Sequence, residues 1–123
     1  MMNGLADSKD RILIVDDNKQ IREIVSKTLA HMGYEVAEAK DSREGLGLFL
    51  HSSFNLVITD LSIPDGDGIS LAYSIKEQSP PTPVILMTGH TSETIEEGPV
   101  NCVMHKPFAL VDLEKTVQML LSK

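Results

Sequence analysis

The chain has 123 residues, enough for one domain with a single core. It is 41% hydrophobic and 24% charged, the balance of an ordinary globular protein, and no apolar run approaches the ~20 residues that span a bilayer. A net charge of −7 turns the chain away from nucleic acid phosphates and so excludes direct nucleic acid binding as its business.

Met1 to Asp10 is polar and aperiodic, without the basic end, apolar middle and small-residue cleavage site of a signal peptide. Residues 1–10 are expected to be a flexible tail ahead of one domain over 11–123, working in the cytoplasm and away from membranes. The single Cys102 rules out an internal disulfide, fits a reducing compartment and reads as a small core residue.

Arg11 to Val15 is the first predicted strand, a short apolar run that ends in Asp16-Asp17-Asn18. Ile21, Ile24, Val25, Leu29 and Met32 then recur at helical spacing, and Gly33 supplies a left-handed end to that helix. Glu35 to Ala39 alternates, as a shorter and more exposed second strand would. Asp41 or Ser42 caps a second helix with Leu46, Phe49 and Leu50 inward. Gly45 and Gly47 inside it each cost ~1 kcal/mol against Ala, so modest helicity is expected.

Leu56 to Thr59 is a third strand, closed by Asp60 and followed by the turn formers Ile63-Pro64-Asp65-Gly66-Asp67-Gly68. A third helix starts near Gly68 or Ile69, turns Leu71, Ala72 and Ile75 inward, and stops before Ser79-Pro80-Pro81. Val84 to Met87 is a fourth strand running into Thr88-Gly89. Cys102 to Met104 is a fifth, followed by Lys106-Pro107. Leu110, Leu113, Val117 and Leu120 stripe the last helix. Short apolar runs without alternation suit strands covered on both faces, and strands alternating with helices predict a parallel sheet between two helical layers.

A parallel sheet brings its carboxyl ends to one edge, where open α/β sheets hold ligands. Asp16, Asp17 and Asp60 would meet there and repel, and a hard divalent cation relieves that repulsion. Thr88 and Lys106 beside them suit a second anion such as a phosphoryl group. An aspartate can be the nucleophile toward phosphorus, in a transfer that asks mainly for alignment and charge neutralisation. His31, His51, His90 and His105 lack ligand spacing and read as surface or packing residues, with His90 bordering the site. Glu93, Glu96 and Glu97 read as a solvated face.

The ordered set Val15-Asp16-Asp17, Thr59-Asp60 with Pro64 and Asp67-Gly68, Met87-Thr88-Gly89 and His105-Lys106-Pro107-Phe108 resembles the receiver domain of two-component response regulators, over Arg11 to Leu121. The resemblance implies a CheY-like (flavodoxin-like) α/β/α sandwich with five parallel strands in order 2-1-3-4-5. It implies Asp60 as phosphoacceptor, Asp16 and Asp17 as the acidic pair around Mg²⁺ (Mn²⁺ as a substitute), and the Ser62 carbonyl as a further ligand. Thr88 would be the switch hydroxyl, Lys106 the phosphoryl partner, and Lys106-Pro107 a cis bond. The implied donor is a histidine kinase or histidine phosphotransfer protein. Output would run through a homodimer or a downstream effector domain. A receiver is not an enzyme acting on external substrates, although it catalyses its own phosphorylation and dephosphorylation. The alternatives are an interaction module that ignores phosphorylation, and a small aspartate-nucleophile phosphatase. The phosphatase would want an acid where Ser62 stands.

Two positions depart from the pattern. Val103 stands where the family carries an aromatic switch residue. Residues 89–105, 17 in number, are about four fewer than usual, roughly one helical turn. The helix expected between the fourth and fifth strands should therefore be shortened or irregular. Gly89 to Val100 is expected to be the least ordered part of the domain, gaining order when Thr88 engages a phosphoryl group.

Overall fold

A computed structural model of the chain describes residues 9–89 and 98–122. The elements run β1 (Arg11–Val15), α1 (Lys19–His31), β2 (Glu35–Ala39), α2 (Ser42–His51), β3 (Leu56–Asp60), β4 (Ser62–Ile63), β5 (Gly66–Asp67), α3 (Gly68–Gln78), β6 (Val84–Thr88), β7 (Cys102–His105) and α4 (Leu110–Leu121). Five strands form one parallel sheet in the order β2-β1-β3-β6-β7, which is 2-1-3-4-5 counted along the chain. The CheY-like sheet expected from the sequence is the one observed. Residues 62–67, read as a turn, add a small antiparallel ribbon of β4 and β5.

The apolar runs explain the layering. Ile12 to Val15, Leu56 to Ile58 and Val84 to Met87 are fully buried, because each central strand has a helix on either side. Leu13, Val57 and Leu86 pack with Phe49 of α2 and with Leu71, Ala72 and Ile75 of α3. Ile12, Ile14, Ile58 and Ile85 pack with Val25 and Leu29 of α1 and with Leu113 and Val117 of α4. β2 is an exposed edge strand, but its five residues match β1 in length. Cys102 is half-buried against the layer of α1 and α4.

Three stripe residues expected inside are not. Ile24 (52% exposed), Leu50 (54%) and Leu110 (38%) lie at the margins of their helices, where a stripe turns into solvent. In α2 the inward positions are Gly45, Phe49 and, in part, Leu46 and Leu48. The cap expected at Asp41 or Ser42 is Asp41, and two more caps precede α1 and α3. The Asn18 side chain accepts from Ile21 N, Asp41 from Glu44 N and Asp67 from Ser70 N. Gly33 takes a φ of 101° after α1, and Tyr34 N donates to Leu29 O.

The two glycines of α2 differ in what surrounds them. A Cβ at Gly45 would lie 2.8 Å from Val15 Cγ2, so this glycine lets α2 approach β1; one at Gly47 meets nothing within 4 Å. Gly47→Ala should therefore stabilise the fold by up to about 1 kcal/mol, while Gly45→Ala should lower Tm despite the same gain in helix propensity. Thermal unfolding of the pair checks this.

The expected tail falls mostly on residues 1–8, outside the described residues; Asp10 O already accepts from Glu35 N at 3.0 Å. The expected short or irregular helix falls on residues 90–97, also outside them, as do His90, Glu93, Glu96 and Glu97. Val100 just beyond is buried in the core, and Val103 packs partly against the same cluster. Among the described residues no helix is long and apolar enough to cross a membrane.

Candidate functional site

Strand order decides which side chains meet. β3 lies at the centre of the sheet and ends on Asp60, β1 beside it leads into Asp16 and Asp17, and β6 on the other side ends on Thr88. β7 follows β6 in the sheet and leads into Lys106, whose N–H donates to Thr88 O at 2.7 Å. The Lys106-Pro107 bond is cis, as expected.

Asp16 is fully buried. Its Oδ1 accepts from Asn18 N at 2.8 Å, while its Oδ2 has no hydrogen-bond partner. Asp60 is largely buried, and Lys106 Nζ stands 3.4 Å from Asp60 Oδ1 and 3.6 Å from Asp16 Oδ2. Asp17 is exposed. One oxygen from each of Asp16, Asp17 and Asp60 can be found within 4.8 Å of the others. A buried carboxylate oxygen without a hydrogen bond, among three hard oxygen donors, fits a hard divalent cation. Thr88 is buried at the same edge. Ser62 opens the ribbon two residues after Asp60, with its side chain exposed. Among the described residues no histidine joins the three acids, and His31, His51 and His105 are exposed.

Burial pushes the Asp60 carboxyl above its ordinary value; the Lys106 ammonium opposes that rise and the Asp16 charge adds to it. The folded state thus favours the protonated acid. This preference stabilises the fold fully below the unfolded carboxyl value of about 3.9 and is lost as pH rises through the raised folded value. Without a metal, ionised Asp60 is then a liability at neutral pH. Asp60→Asn should raise Tm at pH 7, and the gain should shrink toward pH 4. Unfolding scans across that range test the sign.

Two residues that the sequence reading passed over help build the site. Arg22 on α1 donates from Nη1 to Asp16 O at 2.7 Å and from Nε to Glu38 Oε1 at 3.0 Å, fixing the loop that carries the acids. Opposite charges at positions 22 and 38 were its only sequence signal. Asp65, read as a turn former, accepts from Ser42 N and Arg43 N; no local pattern announces a bond to another helix. Gly68, noted as part of a motif, turns out to be a spacing requirement. A Cβ there would collide with the Asp60 carbonyl oxygen and come within 2.7 Å of Leu86 Cδ1.

Ile21, Ile24, Val25, Phe108 and Leu110 line an open apolar groove beside Lys106, which accounts for the exposure of Ile24 and Leu110.

Residues 12–118 match the family described as the response regulator receiver domain. A probable transcriptional regulator, ycf27 of Galdieria sulphuraria, is 36% identical over 94% of this chain and 46% of its own length. A CheY-like response regulator receiver domain protein from Methanospirillum hungatei superposes with a TM-score of 0.86 at 30% identity, covering 93% of this chain and 94% of that one. The response regulator TrrA of Thermotoga maritima, solved in complex with Mg²⁺-BeF, superposes with a TM-score of 0.84 at 30% identity, covering 91% and 99%. The chain spans about half or less of the length of the curated relatives it matches first.

Proposed function

The chain belongs to the response regulator receiver domain family, and from that membership we propose that Asp60 takes its phosphoryl group from a phosphohistidine on a histidine kinase or a phosphotransfer protein, in the cytoplasm. A receiver domain is a phosphoacceptor and not a true enzyme. The observation that carries the assignment of Asp60 is its setting. It is the central carboxylate of the sheet edge, with the Lys106 ammonium 3.4 Å from Oδ1 and the acids of β1 alongside.

In this reading a carboxylate oxygen of Asp60 attacks phosphorus in line with the departing imidazole. The P–N bond breaks with its electron pair left on the donor histidine, and a P–O bond forms to give an acyl phosphate. Lys106 pairs with a phosphoryl oxygen, giving up its contact with the free carboxylates. The Thr88 hydroxyl donates to another phosphoryl oxygen. Asp16, Asp17, Asp60 and the Ser62 carbonyl would hold Mg²⁺, with Mn²⁺ as a substitute. When bound, the cation neutralises the clustered acids and the charge on the transferring group. The apolar groove beside Lys106 gives the donor protein a surface against which to present its histidine. Output through a homodimer or an effector domain belongs to the same proposal.

The test is chemical. With acetyl phosphate as donor, the purified chain should gain a labile phosphate only when Mg²⁺ or Mn²⁺ is present. Asp17→Asn should weaken Mg²⁺ binding about tenfold or more by calorimetric titration, since the exposed Asp17 is a direct ligand in this reading. Unchanged affinity in that variant removes Asp17 from the site. A wild-type chain that binds no divalent cation and takes no phosphate is an interaction module.

A further inference from the structure

The ribbon that follows Asp60 pairs only Ser62 with Asp67 and Ile63 with Gly66. A ladder that short does not hold its place unaided. The main sheet lets go of the chain just before it: Asp60 is the last residue of β3 in register with β6, and Leu61 N donates to Met87 O at 2.8 Å. Ser62 must therefore be fixed from the ribbon side.

Three side chains fix the ribbon. Ile63 is buried in the core against α2 and α3. Asp67 Oδ1 accepts from Ser70 N at 2.7 Å and ties the ribbon to α3. Asp65, at the turn, crosses to α2: Oδ1 accepts from Ser42 N at 2.7 Å and Oδ2 from Arg43 N at 2.9 Å. Asp41 accepts from Glu44 N at 2.8 Å, so α2 has its own cap. Water could satisfy the remaining exposed donors at this helix end. What Asp65 adds is a fixed point for the ribbon, through two hydrogen bonds to an ionised acceptor.

We propose that Asp65 is a positioning residue: by latching the ribbon turn onto the start of α2, it holds the Ser62 backbone where its carbonyl can meet the cation shared by Asp16, Asp17 and Asp60. The inference rests on the metal-assisted reading of Asp60. It separates two ends of one short lever, with the helix contact at Asp65 and the ligand at Ser62.

The experiment is a calorimetric Mg²⁺ titration of the full chain, with thermal unfolding alongside, for wild type, Asp65→Ala and Asp65→Asn. Asp65→Ala should bind Mg²⁺ about tenfold more weakly. Asp65→Asn, which keeps one acceptor oxygen, should fall between it and wild type. Labelling by acetyl phosphate at saturating Mg²⁺ should return close to the wild-type rate in both, because Asp60, Thr88 and Lys106 are untouched. If Asp65→Ala does not fold, Asp65→Asn carries the same comparison. A lowered Tm with unchanged Mg²⁺ affinity overturns the proposal and leaves Asp65 as a helix cap. A wild-type chain that binds no Mg²⁺ overturns the metal reading, and this inference with it.

Discussion

Asp60→Asn should abolish phosphorylation, leaving no phosphate adduct by intact-mass analysis after treatment with acetyl phosphate and Mg²⁺. The amide keeps the shape of the side chain but is a far poorer nucleophile than a carboxylate. Misfolding would not account for the loss, since removing a charge that faces buried Asp16 should raise Tm. The same variant thus separates chemistry from stability, gaining in one and losing everything in the other. An adduct that survives the substitution would move the acceptor to Asp16 or Asp17 and would end the assignment of Asp60.

Gly68→Ala should damage both properties together. The new methyl would press on the backbone oxygen of Asp60, and Leu86 Cδ1 at 2.7 Å leaves it no way aside. That carbonyl is not free to retreat. The Thr59 hydroxyl donates to it at 3.0 Å, and Gly68 N donates to Leu61 O at 2.8 Å, holding the start of α3 against the end of β3. Leu86 is fully buried between neighbours of its own. Overpacking of this kind costs about 1–3 kcal/mol, and contact with backbone argues for the upper part of that range. Tm should fall by roughly 4 °C for each kcal/mol lost. A shift of Asp60 by even about 1 Å should slow labelling on the order of 100-fold. A chain that keeps wild-type Tm and labelling rate would mean that α3 slides away without cost, and the tight approach would carry no function.

The contrast between Gly68 and Asp60 marks what could be read from the sequence. Asp60, Asp16 and Lys106 were legible because each follows a short run whose apolar character announces a strand, and a parallel sheet sends every such ending to one edge. The inward face of α3 and the cap at Asp41 were legible for a similar reason, since both depend on neighbours within a turn or two. Ile24, Leu50 and Leu110 were misplaced because periodicity gives the direction of a stripe and not its width; the packing of α1 against α4 and of α2 against α3 decides that. Gly45 looked like a defect in a helix until Val15 was found beneath it. Asp65 and Arg22 act on backbone that lies far along the chain or on another element, and spacing carries no trace of such contacts.

The chemical groups come from four strands separated by long stretches of sequence, with Asp16 near one end of the chain and Lys106 near the other. Parallel pairing makes every one of those separations a crossover, and such distant contacts form late. Lys106 follows the last of those strands, and its ammonium stands between two of the three acids. The repulsion among the acids is therefore relieved from a strand far from all of them in sequence. Under the proposed function, the partner of the phosphoryl group is thus supplied by the final strand of the sheet.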